Sequence, residues 1–451
     1  MDIACKNSLF TSLCEQVKEN NRIDPERYNN QDIKRGLRNA DGTGVVAGLT
    51  RICNVHGYVL SEGEKLPVKG ELTYRGYSIE DLVRGSHGQG RFGFEEVVFL
   101  LLFGSLPTAE QLSDFCDLLS ANRELPEYFA EDMILKAPSP DIMNKMARSV
   151  LAMYSYDDHP EPENVENVLR QCIQLIAMLP AALGYAYQVK RRHYNKESMY
   201  FHQTVPGLST SETILRTIRA DAQYTEDEAR LLDLCLMLHA EHGGGNNSAF
   251  AARVLSSSGT DTYSAIAAAI GALKGPRHGG ANLKVTQMLH DLKANIRDIT
   301  DDEEIAAYLG KMLRREAGDG SGLIYGMGHA VYTLSDPRAV LLKQEAARMA
   351  EKNGYGDEFR LLDAVERLAP EAMLEVRGIS RAVCANVDMY SGLVYRSLGI
   401  SEDLFTPLFA VARISGWCAH RMEEYLTGNR IIRPAYKPFS KDKPYIELKN
   451  R

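Results

Sequence analysis

Cysteine pairs at metal or redox spacing are missing from this chain. Its eight cysteines stand at 5, 14, 53, 116, 172, 235, 384 and 418. None forms a C-x-x-C pair, which argues against zinc ribbons and thioredoxin-like motifs. Thiols scattered in this way fit a reducing cytosol better than a secreted disulfide scaffold. Positive charge is also scarce. Lys plus Arg number 52 against 60 Asp plus Glu, a net charge of -8, so nucleic acid is a poor partner. Small anions remain possible, because a few local arginines suffice to hold them. Long apolar runs are absent: residues 97–103 form the longest, far too short to span a bilayer. The first residues lack the apolar core of a signal peptide, and Asp2, Glu15 and Glu19 suit a transit peptide badly. A cytoplasmic protein is expected. No internal repeat, low-complexity segment or series of β-α-β units is present.

What the chain does have is material for a large core. At 451 residues and 44% hydrophobic content, it exceeds what one core usually serves and suggests two domains. Residues 1–35 read as a helix whose Leu9, Phe10, Leu13 and Val17 need a partner surface. Residues 46–75 read as a small hairpin, with His56-Gly57 and Glu62-Gly63 as breakers. From about 78 onward the apolar spacing is helical, clearest over 94–103, 109–119 and 165–187. Thr225-Glu226-Asp227-Glu228 is a capping box, and Thr300-Asp301-Asp302-Glu303 repeats the pattern. Asp336-Pro337 supplies an N-cap and a first-turn proline for a helix running to Gly354. The expected fold is mainly α-helical. Residues 282–390 are richer in charge and carry glycine clusters at 318–322 and 326–328. This suggests a smaller inserted domain (281–390) between two parts of a large one (1–280 and 391–451).

Four motifs carry chemistry. In Leu238-His239-Ala240-Glu241-His242-Gly243-Gly244-Gly245-Asn246 two histidines and a glutamate invite a metal. The spacing is not H-E-x-x-H and no third ligand follows, so hydrogen bonding in a polar pocket is the better reading. Gly275-Pro276-Arg277-His278-Gly279-Gly280 sets His278 at the apex of a sharp turn ahead of a helix. The positive end of a helix dipole would keep that imidazole neutral and able to donate to a carbonyl oxygen. A surface turn histidine is the alternative. Gly326-Met327-Gly328-His329 lacks the third glycine and the β-α-β frame of a dinucleotide site. Its glycines instead let backbone approach a ligand, with His329 beside it. Arg338, in the first turn of its helix, is disfavoured by the dipole, so a bound anion explains it better than a structural role. Asp388, in Asn386-Val387-Asp388-Met389, is either a helix cap or a base. Arg413 lies among apolar residues; if buried it needs a carboxylate nearby. Arg433, in Arg430-Ile431-Ile432-Arg433-Pro434, is a further cation, and both arginines could equally be solvated.

Taken in order with Tyr74-Arg75-Gly76-Tyr77, Asp81-Leu82 and Leu100-Leu101-Leu102-Phe103-Gly104-Ser105-Leu106-Pro107, these motifs resemble the citrate synthase family over nearly the whole chain. The resemblance implies a two-domain helical homodimer that closes over its substrates, acetyl-CoA and oxaloacetate, and releases citrate and CoA. It implies Asp388 as the base, His278 as the donor to the thioester oxygen and His329 as the acid at the ketone. His242, Asn246, Arg338 and Arg413 would bind oxaloacetate, with Arg433 reaching the partner subunit's site. CoA would lie along Leu323, Ile324, Tyr325, Gly326, Met327 and Gly328. Thr333 stands where relatives often carry a cation for the CoA phosphates; Arg381 is a substitute. Gly243 stands where a glutamate commonly follows the histidine. The N-terminal segment resembles the helical extension of dimeric relatives more than the β-rich extension of hexameric ones. No metal or cofactor is implied, the thioester being a substrate. The rivals are 2-methylcitrate synthase, which uses propionyl-CoA, and a non-catalytic scaffold of the same fold.

Overall fold

The structure is a computed structural model and describes residues 8–28, 33–61, 64–428, 430–438, 440 and 442–451. The chain divides into two compact units, one ending at Leu49 and the other running from Thr50 to Arg451. In the first, α1 (Ser8–Asn21) forms, shorter than the helix expected over 1–35: after Asn21 only short turns at Pro25–Tyr28 and Arg35–Leu37 follow among the described residues. Its Phe10, Leu13 and Val17 are exposed.

The second unit opens with a hairpin of β1 (Cys53–Ser61) and β2 (Glu64–Tyr74), to which the short β3 (Tyr77–Ser78) is added. The first expected breaker is a bulge: the register slips between His56 and Tyr58, leaving Gly57 unpaired. The second, Glu62-Gly63, lies outside the described residues. A run of helices follows: α2 (Ile79–Ser86), α3 (Phe94–Phe103), α4 (Ala109–Ala121), α5 (Ile142–Met153) and α6 (Val165–Lys190). Next come α7 (Thr210–Ile218), α8 (Glu226–His239), α9 (Asn247–Ser256) and α10 (Thr262–Lys274). The chain continues through α11 (Ala281–Asn295), α12 (Asp302–Leu313), α13 (Pro337–Lys352), α14 (Gly356–Arg377) and α15 (Asp388–Ser397), and closes with α16 (Phe405–Thr427).

The Thr225–Glu228 capping box forms as expected. The one expected at Thr300 does not. Asp301 caps α12 by accepting from the amides of Glu303 and Glu304, and Thr300 bonds Asp298 instead. The Asp301 carboxylate, one position later, meets the orphan amides with a charge that the first turn favours.

α16 is the central strut, buried almost without a break from Phe405 to Met422. It packs against α3, α5, α6, α8, α9 and α10. α6 is long and apolar enough by composition to cross a membrane, but its most apolar window is 78% buried inside the protein. That surface is spent on the core. α11 to α15 pack chiefly on one another, α12 on α14, α13 on α14 and α15, and α11 on α15. The loop between α12 and α13 leans on the hairpin. A Cβ on Gly70 would collide with the carbonyl of Ser335, and the Gly70 amide donates to Ser335 Oγ at 3.2 Å.

Candidate active site

The ends of several elements meet around α16. α8 ends in His239 and leads to Glu241 and His242; α9 begins at Asn247; the turn 275–280 carries His278; the loop before α13 carries His329; and α15 begins at Asp388.

His278 is held from behind by the start of α9. The Ser248 amide donates to its Nε2 at 3.3 Å, and Ser248 Oγ lies 2.9 Å from the same nitrogen. A backbone amide can only donate, so Nε2 accepts and the proton sits on Nδ1. Burial first, then the charge of Arg413, pulls the His278 pKa down to about 4, so the ring is neutral. The ring is neutral as the sequence suggests, but burial and Arg413 account for this rather than the helix expected after the turn. The amide comes from α9, not from α11, which follows the turn. Trp417 Nε1 completes the backing by donating to Ser248 Oγ at 3.1 Å. Asn246, the N-cap residue of α9, makes no capping bond to the backbone, and its Oδ1 accepts from Ser248 Oγ at 3.0 Å.

His329 is fixed by its own turn. The amides of Val331 and Tyr332 both donate to its Nδ1 at 3.1 Å, which leaves the proton of a neutral ring on Nε2. Tyr332 stacks on it, with centroids 4.6 Å apart, and donates its hydroxyl to the carbonyl of Glu71 on β2 at 3.3 Å. The hairpin thus braces His329 through Tyr332. Across the site, the His242 ring meets that of His329 edge-on at 5.0 Å. Burial, followed by Arg338 and His329, pushes the His242 pKa well below its ordinary value. Its Nε2 is buried without a hydrogen-bond partner among the described residues.

The two buried arginines differ. Arg338 forms a bidentate pair with Asp336, through Nε to Oδ1 at 3.0 Å and Nη2 to Oδ2 at 2.7 Å. Arg338 therefore does have a structural role, and Asp336, the residue that caps α13, supplies its counter-ion. Arg413 is wholly buried. Its Nε donates to the carbonyl of His239 at 2.7 Å, while Nη1 and Nη2 find no hydrogen-bond partner among the described residues. A buried guanidinium in that condition calls for an anion.

Asp388 is the first residue of α15 and not its cap; Val387 takes the cap position, and Asn386 Oδ1 accepts from the Asp388 amide. Burial, only partly offset by Arg338, pushes its pKa up to about 6. Among the described residues no side chain hydrogen-bonds its carboxylate.

A cavity of about 200 Å³ runs beside His329, lined by Leu323, Ile324, Met327, Gly328 and Arg381. Tyr325 and Gly326 do not line it. Tyr325 donates its hydroxyl to Asp319 at 2.7 Å. Gly326 sits at φ +79° under Met389, where a Cβ would crowd both Met389 and Val285. Arg377, which no motif singles out, lines the cavity with Thr333, whose Oγ1 is buried without a hydrogen-bond partner among the described residues. Gly243 takes φ +86°, a region a glutamate would resist. Arg433 is exposed in the C-terminal segment and bonds no described residue. Among the described residues no group of three or more His, Cys, Asp or Glu is placed to hold a metal ion; the His239 ring lies 2.8 Å from the Cys235 carbonyl of its own helix.

Residues 39–435 match the family model described as citrate synthase, C-terminal domain. The citrate synthase of Synechocystis is 32% identical, over 90% of each chain. The 2-methylcitrate synthase 1 of Corynebacterium glutamicum is also 32% identical, over 89% of this chain and 94% of that one. Among solved structures, the ternary complex of carboxymethyl coenzyme A and oxaloacetate with the citrate synthase of Thermoplasma acidophilum superposes with a TM-score of 0.75 at 25% identity. It covers 93% of this chain and all of that one.

Proposed function

The chain belongs to the citrate synthase family, and from that premise we propose that it condenses acetyl-CoA with oxaloacetate and hydrolyses the citryl thioester to citrate and CoA. Ionised Asp388 takes a proton from the acetyl methyl. The electron pair moves into a carbon–carbon double bond, and the thioester oxygen is met by the Nδ1–H of neutral His278. Such a weakly acidic carbon yields its proton only if the new oxyanion is stabilised at once, which a positioned donor does. The enol carbon then attacks the ketone of oxaloacetate. The ketone oxygen takes a proton from His329 Nε2, and water finally cleaves the thioester.

Arg413, Arg338 and His242 bind the dicarboxylate and fix its face for attack. Asn246 joins them as a further polar contact, held on the His278 side of the site through Ser248. The observation that carries this end of the reading is Arg413, buried with two terminal nitrogens that no acceptor among the described residues meets. CoA lies along 323–328 with Arg381 at its phosphates, a placement supported by the cavity that Leu323, Ile324, Met327, Gly328 and Arg381 share with His329. α11 to α14 with the first residues of α15, which pack chiefly together, act as the small domain (281–390) closing on the large one. The working form is a cytoplasmic homodimer in which the exposed Arg433 reaches into the other copy's site. No metal or cofactor enters the scheme.

Propionyl-CoA is the second reading, favoured by the equal identity to a 2-methylcitrate synthase. One methylene is worth only about 1–3 kcal/mol of discrimination. Steady-state release of free thiol from acetyl-CoA and from propionyl-CoA, each with oxaloacetate, tests the proposal. A higher kcat/KM with acetyl-CoA is expected, a higher value with propionyl-CoA selects the second reading, and no release from either refutes both.

A further inference from the structure

We infer that Glu241, wedged between Arg413 and His420 on α16, is the fixed counter-charge that keeps Arg413 buried and charged without occupying its anion-binding nitrogens. The inference rests on the proposed oxaloacetate site.

Arg413, Gly416 and His420 are three and seven residues apart on one helix and share a face. Glu241 comes from the segment after α8, directly before His242, and inserts its carboxylate against that face. It is wholly buried, as is His420. Gly416 makes the slot: a Cβ there would fall on Glu241 Oε2. Oε1 lies 3.0 Å from His420 Nε2. His420 Nδ1 faces the Arg253 guanidinium, 3.1 Å from Nε and 2.7 Å from Nη2. A guanidinium only donates, so Nδ1 accepts, the His420 proton sits on Nε2, and Nε2 donates to Glu241. Arg253 is anchored in turn by Glu423 and by Glu424 at 3.0 Å.

This chain of bonds holds Glu241 in place and does so on one oxygen. Among the described residues Oε2 has no hydrogen-bond partner, and neither do Arg413 Nη1 and Nη2. The two groups therefore balance in charge without being bonded. Glu241 is the strongest charge opposing the desolvation of Arg413. Arg338, by contrast, is locked to Asp336 by two direct bonds. A direct Glu241–Arg413 pair would have to be broken by each incoming carboxylate. A counter-charge held at its side leaves the guanidinium fork open while lowering the cost of its burial.

Neutralising Glu241 should therefore make the pocket more avid for anions. A residue that merely shaped the pocket would weaken binding when altered. The test compares wild type, Glu241→Gln and Gly416→Ala in the full-length protein, by calorimetric titration with oxaloacetate, citrate inhibition and thermal melting with and without oxaloacetate. For Glu241→Gln, oxaloacetate affinity should rise by about tenfold, citrate inhibition should strengthen in parallel, and kcat should fall as product leaves more slowly. Its unliganded Tm should drop and its ligand-induced Tm rise should exceed that of wild type. Gly416→Ala keeps the charge but displaces it, and should shift affinity in the same direction. That variant decides the matter if Glu241→Gln does not fold. Unchanged or weaker oxaloacetate binding in the variants beside a wild type that binds overturns the role of Glu241 alone. A wild type that fails to bind oxaloacetate overturns the site reading and this role with it.

Discussion

Replacing Asp388 by Asn should make the protein inactive and more stable at once. The carboxyl is raised from 3.8 to about 6 by burial, so its ionised form is disfavoured by folding. At about 1.4 kcal/mol per tenfold change in the proton equilibrium, that displacement corresponds to about 3 kcal/mol. The figure is an upper bound, because the side chain keeps some contact with solvent. The amide also gives up about 0.5 kcal/mol that a negative charge gains at the start of α15. A net stabilisation of about 2 kcal/mol remains. The sign follows from proton counting. Below about pH 4 both folded and unfolded chains hold the proton, and the penalty is absent. Between 3.8 and 6 the folded state retains a proton that the unfolded state has lost, so wild-type stability falls as pH rises. Above about 6 the penalty is complete. Urea unfolding of both proteins at equal concentration, from pH 4 to 8, should show the Asn variant gaining on wild type until about pH 6 and then holding level. The wild-type kcat/KM for acetyl-CoA should lose half its value near pH 6, where the base takes up its proton. His278, neutral above about pH 4, adds no break in that range. A variant no more stable than wild type at pH 7.5, or an acid limb near pH 4, refutes the argument.

Other perturbations bear on the rest of the site. Arg413→Met should weaken oxaloacetate binding by about a hundredfold or more, since a desolvated charge-assisted contact is worth about 2–5 kcal/mol; calorimetric titration reads this directly. Ser248→Ala leaves Trp417 Nε1 buried without its acceptor and should cost about 1–3 kcal/mol of stability, measured by the urea midpoint, with kcat reduced by less than about tenfold because the Ser248 amide still orients His278. Gly70→Ala drives a methyl into the Ser335 carbonyl and should destabilise by about 1–3 kcal/mol. It should also raise the oxaloacetate KM, because the hairpin can no longer brace Tyr332 and His329.

The helices and the chemistry-bearing residues were legible in the sequence because both have local signatures. Periodic apolar spacing placed α3 within the residue, and the apolar neighbours of Arg413 signalled its burial. The turn 326–332 holds the whole device that orients His329, since its acceptor nitrogen is satisfied by amides two and three residues on. What stayed hidden depends on distance along the chain. Ser248 lies 30 residues before His278, and Glu241 lies 179 before His420. No spacing rule links such pairs. Local competition hid other features. Asp336 read as a cap alone, although its carboxylate also binds Arg338. Thr300 read as a cap from its T-x-x-E spacing, although Asp301, next to it, offers the same chemistry from a better position.

The place of α16 in the order of synthesis has its own consequence. The helix that fills the centre of the core, ending at Thr427, follows every helix it packs against. Until it leaves the ribosome, α3, α6, α8 and α10 have emerged with the apolar faces they will later turn toward it still uncovered. Because those contacts span up to several hundred residues, consolidation of this core is a late event in the life of the nascent chain. A polypeptide stopped short of α16 would be exposed to chaperones and to aggregation, so a fragment that retained every residue up to Asp388 would still lack a folded scaffold on which to hold them.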